Sequence, residues 1–183
     1  MENNEQQTQF RKPVNLVRAF PQGMSEQQVR KMAQELARSL TQFAKRGIVH
    51  QAVKPHNVFA APDGSFWLGP PPSGDEAKMP CGGDLSCMCP EMYWGMAFDG
   101  RADVYALGVL LYTMLNNGCL PLCQKDDTLD AMRTACLRRL EGEELPPPAH
   151  GSKQLKALVL KACAYERDQR FASMEELLEA FCD

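Results

Sequence analysis

The sequence predicts a mainly α-helical domain of the α+β class, in which a helical bundle surrounds a buried central helix and one small β-hairpin lies beside it. Three observations predict this fold class. Most apolar residues recur at helical spacing, residues 101–118 are apolar on nearly every side, and two short apolar runs flank the turn residues 62–64. The 183 residues suffice for one domain with its own core.

The first long helix is expected to begin after Ser25 and to end before Gly47. Ser25 and Gln28 have the spacing of a capping box, and glycine is a common residue just past a helix end. Residues 1–12 are polar, and we expect them to form a tail before a domain that spans 13–183. The buried face of the helix is predicted from apolar residues at helical spacing, which are Val29, Met32, Ala33, Leu36, Leu40 and Phe43.

The hairpin is followed by residues 70–89, which contain too much proline and glycine for a long helix. The central helix comes next and is expected to end at Asn117 and Gly118. Three further helices are predicted at about 128–141, 153–164 and 174–182.

Composition excludes several classes of function. The net charge of −3 gives no positive field for nucleic acid or an anionic membrane, and no apolar run reaches the ~20 residues of a membrane span. The first residues lack a signal peptide, so we expect a cytoplasmic protein. The eight cysteines are expected to be free thiols, because the spacing of Cys81, Cys87 and Cys89 does not suit a zinc site. No metal is predicted.

Four motifs in order resemble the C-terminal lobe of eukaryotic-type protein kinases. "GIVHQAVKPHNVF" (47–59) is similar to the catalytic loop, G-I-V-H-R-D-L-K-P-x-N, and "GGDLSCMCPE" (82–91) to the end of the activation segment, G-T-x-x-Y-x-A-P-E. "RADVYALGVLLYTML" (101–115) resembles the buried central helix, and "ERDQRFASMEELL" (166–178) the last helix with its arginine. The resemblance implies a kinase C-lobe over nearly the whole chain.

The resemblance also shows where the family's catalytic groups are replaced. The loop carboxylate that accepts the substrate's proton is Ala52 here, and the metal-binding Asp of D-F-G falls on Pro70. The residues before Ser25 are too few for the family's N-lobe, and no glycine-rich phosphate loop occurs, so we expect the N-lobe to be absent. The chain is therefore interpreted as a pseudokinase that is not an enzyme, with no catalytic residues.

Two residues of the family's nucleotide site remain, Lys54 and Asn57. The resemblance implies that they are vestigial, weak cofactor-binding residues, and neither ATP nor Mg²⁺ is expected to bind, because a lone amide is a poor magnesium site. The simpler reading is that Asn57 bonds the loop backbone and that Lys54 is a solvated surface cation.

Four residues of the family's structural framework are retained. The resemblance implies that Asp103 holds the catalytic-loop backbone and that Glu91 pairs with Arg170. His50 is also present, but the phenylalanine that it would contact in the family is Pro71 here.

These features favour a protein-interaction or regulatory module. A protein partner is expected on the surface that would face the N-lobe or on the helices after residue 127, and self-association is left open. The aromatic residues Phe59, Phe66 and Trp67 are either core residues or caps of that surface. One alternative is half of a split Ser/Thr kinase, or a residual ATP-binding kinase, and either would need an N-lobe in trans. A third possibility is a truncated relic.

Overall fold

The computed structural model describes residues 13–182, apart from the side chains of residues 76 and 77. The predicted tail at 1–12 lies outside the described residues. The helices are α1 (Leu16–Ala19), α2 (Glu26–Ala44), α3 (Pro90–Tyr93), α4 (Arg101–Leu115), α5 (Leu129–Leu140), α6 (Lys153–Ala162) and α7 (Met174–Cys182). The strands are β1 (Val14–Asn15), β2 (Val58–Ala60) and β3 (Phe66–Leu68). This mainly α-helical architecture confirms the predicted fold class.

Helix α2 begins at the predicted capping box. The Gln28 backbone N–H donates to Ser25 Oγ, and the Ser25 backbone N–H donates to Gln28 Oε1. Each bond satisfies a backbone donor that the first helical turn leaves without a partner. Gly47 lies three residues past the helix end with φ of 69°, a conformation that glycine adopts at little cost.

Helix α4 is the centre of the core. All its residues after Arg101 are buried, so it is enclosed by the other elements as its uniformly apolar sequence predicts. A Cβ atom on Gly108 would lie 2.7 Å from the Cβ of Ala162 in α6. The glycine is therefore what allows these two helices to approach each other closely.

The sheet has three antiparallel strands in the order β1, β2, β3. The β2–β3 hairpin was predicted, and Phe59 lies opposite Trp67 within it. Strand β1 was not predicted, because its two residues are too short to give a periodic pattern. Val14 pairs with Ala60, so the start of the described chain covers the outer edge of the hairpin.

Residues 70–89 contain no α-helix, as predicted, but they are not wholly irregular. Two 3₁₀ turns, Gly74–Lys78 and Pro80–Gly83, form part of this segment. Among the helices of residues 13–182, none is long and apolar enough to cross a membrane.

Candidate functional site: the catalytic-loop region

Asp103, in the first turn of α4, holds the loop that carries the candidate residues. Its two carboxylate oxygens accept hydrogen bonds from the backbone N–H groups of His50, at 2.7 Å, and Gln51, at 2.9 Å. Burial raises the pKa of Asp103 to about 6, although these two hydrogen bonds act in the opposite direction. Gln51 has φ of 62°, so the anchored backbone includes a residue in the left-handed region. This is the contact that the family resemblance implies for Asp103.

His50 is fully buried and connects the loop to the end of β3. Its Nε2 lies 3.0 Å from the carbonyl oxygen of Gly69, and its Nδ1 lies 3.3 Å from the backbone N–H of Ala52. Because that N–H donates to Nδ1, the ring carries its proton on Nε2 and donates to Gly69. Burial lowers the pKa of His50 and so favours this neutral form. The hydrogen bond to Gly69 acts in the opposite direction but does not outweigh burial. The ring packs edge-on against Phe43 of α2, at 4.9 Å between centroids, a partner that the sequence did not reveal.

Asn57 ties the loop to the segment after β3. Its Nδ2 donates to the carbonyl oxygens of Ala52 and Pro70, at 3.1 Å each. A Cβ atom on residue 69 would lie 2.1 Å from Asn57 Oδ1, so glycine is required there. Of the two readings of Asn57 from the sequence, this geometry matches the one in which the amide bonds the loop backbone.

Lys54 is not a solvated cation, because it forms an ion pair that the sequence analysis missed. Its Nζ lies 3.0 Å from Oδ2 of Asp84 in the activation segment, and Asp84 Oδ1 accepts from the N–H and hydroxyl of Ser86. Burial raises the pKa of Asp84, but the bonds from Ser86 and Lys54 outweigh it and hold that pKa below its usual value. Burial likewise lowers the pKa of Lys54, but the bond and charge of Asp84 outweigh it and leave that pKa raised. Both groups are therefore charged near neutral pH.

The position of Asp84 in the sequence contained a signal for this pair. The family pattern G-T-x-x-Y-x-A-P-E, aligned on Glu91, places its threonine at Asp84. The family's loop lysine contacts the carboxylate two residues after the loop histidine, where this chain has Ala52. The structure thus provides the lysine with a carboxylate from a different segment.

Glu91, the last residue of the activation-segment motif, forms the predicted pair with Arg170. The guanidinium donates to both carboxylate oxygens, at 2.7 and 2.8 Å, and both side chains are almost fully buried. Arg170 also donates to the carbonyl oxygens of Ala164, Tyr165 and Arg101. Burial raises the pKa of Glu91, but the hydrogen bonds and charge of Arg170 more than offset it, so the pKa is lowered.

Arg139 of α5 is a further anchor that the sequence analysis did not identify. Its guanidinium donates to the carbonyl oxygens of Leu85, at 2.6 Å, and Met88, at 3.1 Å, and to the Tyr105 hydroxyl, at 2.7 Å. Only 2% of Arg139 is exposed, and within residues 13–182 no carboxylate forms an ion pair with it. The available signal was its helical spacing, since Arg139 lies on the same face as the buried residues Ala135 and Cys136.

The donor atoms of this region do not fit the magnesium ion that the family implies. Within the described part of the chain, no three His, Cys, Asp or Glu side chains form a group that could hold a metal. Pro70 offers no carboxylate, and the Asn57 Nδ2 bonds to two carbonyls leave its Oδ1 as the one amide oxygen of this residue that could act as a ligand. Magnesium prefers carboxylate or phosphate oxygens, so a lone amide oxygen leaves most of its coordination shell unfilled.

Comparison with known proteins agrees with the motif order and with the framework contacts of Asp103, Glu91 and Arg170. The protein kinase domain family matches residues 10–181. The chain belongs to the protein kinase family. It is 32% identical to the serine/threonine-protein kinase Pkn1 of Myxococcus xanthus, over 70% of this chain and 20% of that protein. It is 27% identical to the serine/threonine-protein kinase PknB of Mycobacterium tuberculosis, over 73% of this chain and 22% of that protein.

A third relative is a tyrosine kinase by name. The tyrosine-protein kinase MasK of Myxococcus xanthus is 33% identical over 54% of this chain and 15% of that protein. The chain thus spans about a fifth of the length of these three kinases.

The sequence-based prediction that the chain is not an enzyme is wrong. Its membership of the protein kinase family and its serine/threonine-kinase relatives point to a protein kinase, which is an enzyme. The prediction rested on the side chains of Ala52 and Pro70, each judged by its position in a motif, and on the expected absence of the N-lobe and its glycine-rich loop. The prediction assumed that a carboxylate beside Lys54 would have to come from position 52. In the folded chain, Asp84 lies next to that lysine instead.

Proposed function

We propose that this chain is a protein-binding lobe with a regulatory role, and that its partner covers the β2–β3 hairpin. The observation that carries the proposal is the stacked pair of Phe59 and Trp67, whose ring centroids lie 5.6 Å apart at an angle of 19°. Trp67 is 39% exposed, whereas Phe66 on the other face of the strand is buried. Phe59 is only partly exposed, so the pair presents one open aromatic face, that of Trp67, and aromatic residues are enriched among the anchors of protein interfaces.

The surroundings of this aromatic pair support a protein partner. In the resemblance on which the prediction was based, the hairpin surface faces the kinase N-lobe, which is itself a protein surface. The net charge of −3 disfavours nucleic acid at the same place. A second contact area on the helices after residue 127 is supported by Leu129, which is 84% exposed at the start of α5.

The experiment places a photo-crosslinking amino acid at position 67, identifies the captured protein, and then titrates that protein in purified form. Trp67→Ser is expected to weaken binding by about tenfold or more, as truncation of an aromatic interface anchor does. Trp94→Ser is the matched control, because Trp94 is also exposed but follows α3. Equal affinities of the two variants would reject the hairpin as the binding surface, and capture of a second copy of the chain would identify self-association.

A second candidate function is phosphoryl transfer as half of a split Ser/Thr kinase that receives an N-lobe in trans. The Lys54–Asp84 pair favours it, because a carboxylate and an ammonium group lie together beside the catalytic loop. The test is thermal unfolding with ATP and Mg²⁺, with and without a kinase N-lobe. Nucleotide at 100 times its Kd is expected to stabilise the fold by about 2.7 kcal/mol. No stabilisation in either mixture would reject this candidate.

We also propose a cytoplasmic location. All eight cysteines lie among the described residues, and none of them is in a disulfide. Free, mostly buried thiols are usual in a reducing compartment. The prediction is tested by locating a tagged chain in fractionated cells.

A further inference from the structure

The end of the activation segment is attached to the rest of the molecule from two sides. We define the 84–88 strip as the five residues from Asp84 to Met88. Lys54 of the catalytic loop bonds the Asp84 side chain at its start, and Arg139 of α5 bonds the carbonyl oxygens of Leu85 and Met88. The strip therefore lies between the catalytic loop and α5, with a cation on each side.

Asp84 fixes both the position and the shape of the strip. Its Oδ2 pairs with Lys54, while its Oδ1 accepts from the Ser86 N–H, at 3.0 Å, and from the Ser86 hydroxyl, at 2.6 Å. The second set of bonds closes a local turn of the kind that Asp and Asn both form. The charge on Asp84 is thus needed for the bond to Lys54, whereas the turn requires only a side-chain oxygen.

Arg139 restrains the other part of the strip with a buried charge. The guanidinium is almost fully desolvated, and its hydrogen bonds within residues 13–182 go to three neutral oxygens, two of which belong to the strip. If the strip moved away, this cation would lose two of its three hydrogen-bond acceptors in the described residues. Leaving a buried charged group without its partners is costly, so Arg139 opposes any displacement of Leu85 and Met88.

Protein kinases commonly order this segment by phosphorylation, with a new pair between the phosphate and an arginine. The loop position that holds an arginine in the pattern G-I-V-H-R-D is Gln51 here, which carries no charge. Lys54, the cation of this loop that reaches the strip, is already paired.

We propose that Asp84 and Arg139 are positioning residues that hold the 84–88 strip in place without phosphorylation. The strip is then already ordered when the protein partner binds. This inference deepens the protein-binding function proposed above and rests on it for its purpose. The preordering itself is a property of the chain alone and is tested without any partner.

The experiment is hydrogen exchange followed by mass spectrometry on the full chain after phosphatase treatment, with the unphosphorylated mass confirmed. Peptides that cover 84–88 are expected to be protected. Asp84→Asn keeps an oxygen for the Ser86 turn and removes the charge, and should raise exchange of the strip by about three- to tenfold. Lys54→Met should do the same, and the double variant should add little to either single change.

Asp63→Asn is the matched control. Asp63 accepts from the N–H and hydroxyl of Ser65 just as Asp84 does from Ser86, but its carboxylate forms no ion pair in the described residues. It should leave exchange of the strip unchanged. A strip that exchanges freely in the unphosphorylated chain, or Asp84→Asn behaving like Asp63→Asn, would overturn the proposal.

Arg139→Gln tests the second attachment by the same measurement and should raise exchange around Leu85 and Met88. If this variant does not fold, the Lys54 and Asp84 variants decide the question alone. The protein-binding function fails separately, when Trp67→Ser binds its purified partner as well as Trp94→Ser does. If the strip is protected from exchange but the two tryptophan variants bind the partner equally, the strip is preordered and the hairpin is rejected as the partner's binding surface.

Discussion

Two ion pairs hold the end of the activation segment, and the regions in which they lie differ in burial. Glu91 and Arg170 pair in the core, with side chains 7% and 0% exposed. Asp84 and Lys54 pair in what we call the cleft, the space between the catalytic loop and the 84–88 strip, with side chains 33% and 26% exposed. Water screens the second pair far more than the first, so similar chemistry contributes stability in the core and mainly local order in the cleft.

The two regions also differ in how their residues can be recognised. A desolvated pair needs both partners at fixed places, so Glu91 and Arg170 stand where the family motifs have them. A half-exposed lysine can accept a carboxylate from any neighbouring segment. Here Lys54 pairs with Asp84, while Ala52 occupies the position of the family's catalytic-loop carboxylate. Four predictions sharpen this comparison.

The largest expected effect is on the core pair. Arg170→Ala leaves the Glu91 carboxylate buried without its cation and is expected to lower the free energy of unfolding by about 3–5 kcal/mol. Urea denaturation measures this loss. Arg167→Ala is the control, because Arg167 lies on the surface three residues away, donates to the Ala97 carbonyl at the long distance of 3.5 Å and lies 3.9 Å from Asp99. Equal losses in both variants would remove the energetic distinction between the two regions.

The next effect concerns Asp103, a buried carboxylate that forms no ion pair with any cation of residues 13–182. Asp103→Asn can accept only one of the two loop N–H bonds well and should cost about 1–3 kcal/mol. Because the folded pKa of about 6 lies above the ordinary value of 3.8, the folded chain binds the extra proton in this window. The stability that protonation of Asp103 adds to the folded chain is therefore fully present below pH 3.8, and it is lost as pH rises through about 6.

The measurement is urea denaturation of the wild-type chain and Asp103→Asn between pH 4 and 7. The advantage of the wild-type chain should grow as pH falls through about 6. Glu91→Gln should show the opposite sign. The lowered pKa of Glu91 gives stability that is present above the ordinary value of 4.5 and lost as pH falls through the folded pKa. The same pH trend in both differences would contradict the assigned environments.

A smaller effect is expected at Gln51, whose φ of 62° is unfavourable for a residue with a side chain. Gln51→Gly removes this strain but increases the freedom of the unfolded chain, so a net gain of about 0.5–1 kcal/mol in the free energy of unfolding is expected. Gln51→Ala keeps the Cβ atom and should give no such gain. Thermal unfolding of the two variants separates backbone strain from the loss of the glutamine side chain.

The smallest effect is on the stability contributed by the cleft pair. Lys54→Met is expected to lower the free energy of unfolding by about 0.2–1 kcal/mol, and the loss should shrink in high salt. Arg170→Ala should show little salt dependence, because its pair is shielded from the solvent. A loss in Lys54→Met as large as that in Arg170→Ala would show that the cleft pair also supports the global fold.

Much of the fold could be predicted because its signals are local. Helix α2 follows its capping box and apolar stripe, and α4 follows from apolar residues on every side. The short elements β1, α1 and α3 were missed. They have too few residues for a periodic pattern, and each exists because a tertiary neighbour holds it.

By itself the sequence determined the class of fold, the kinase resemblance and the core residues Asp103, Glu91 and Arg170. These follow from helical periodicity and motif order, which can be read from the sequence without knowing the fold. Only the tertiary structure decided that Asp84 pairs with Lys54, that Phe43 contacts His50, and that Arg139 reaches the 84–88 strip. These contacts join residues 7 to 54 positions apart. Which side chains meet over such separations depends on how helices and loops pack, and no local pattern specifies it.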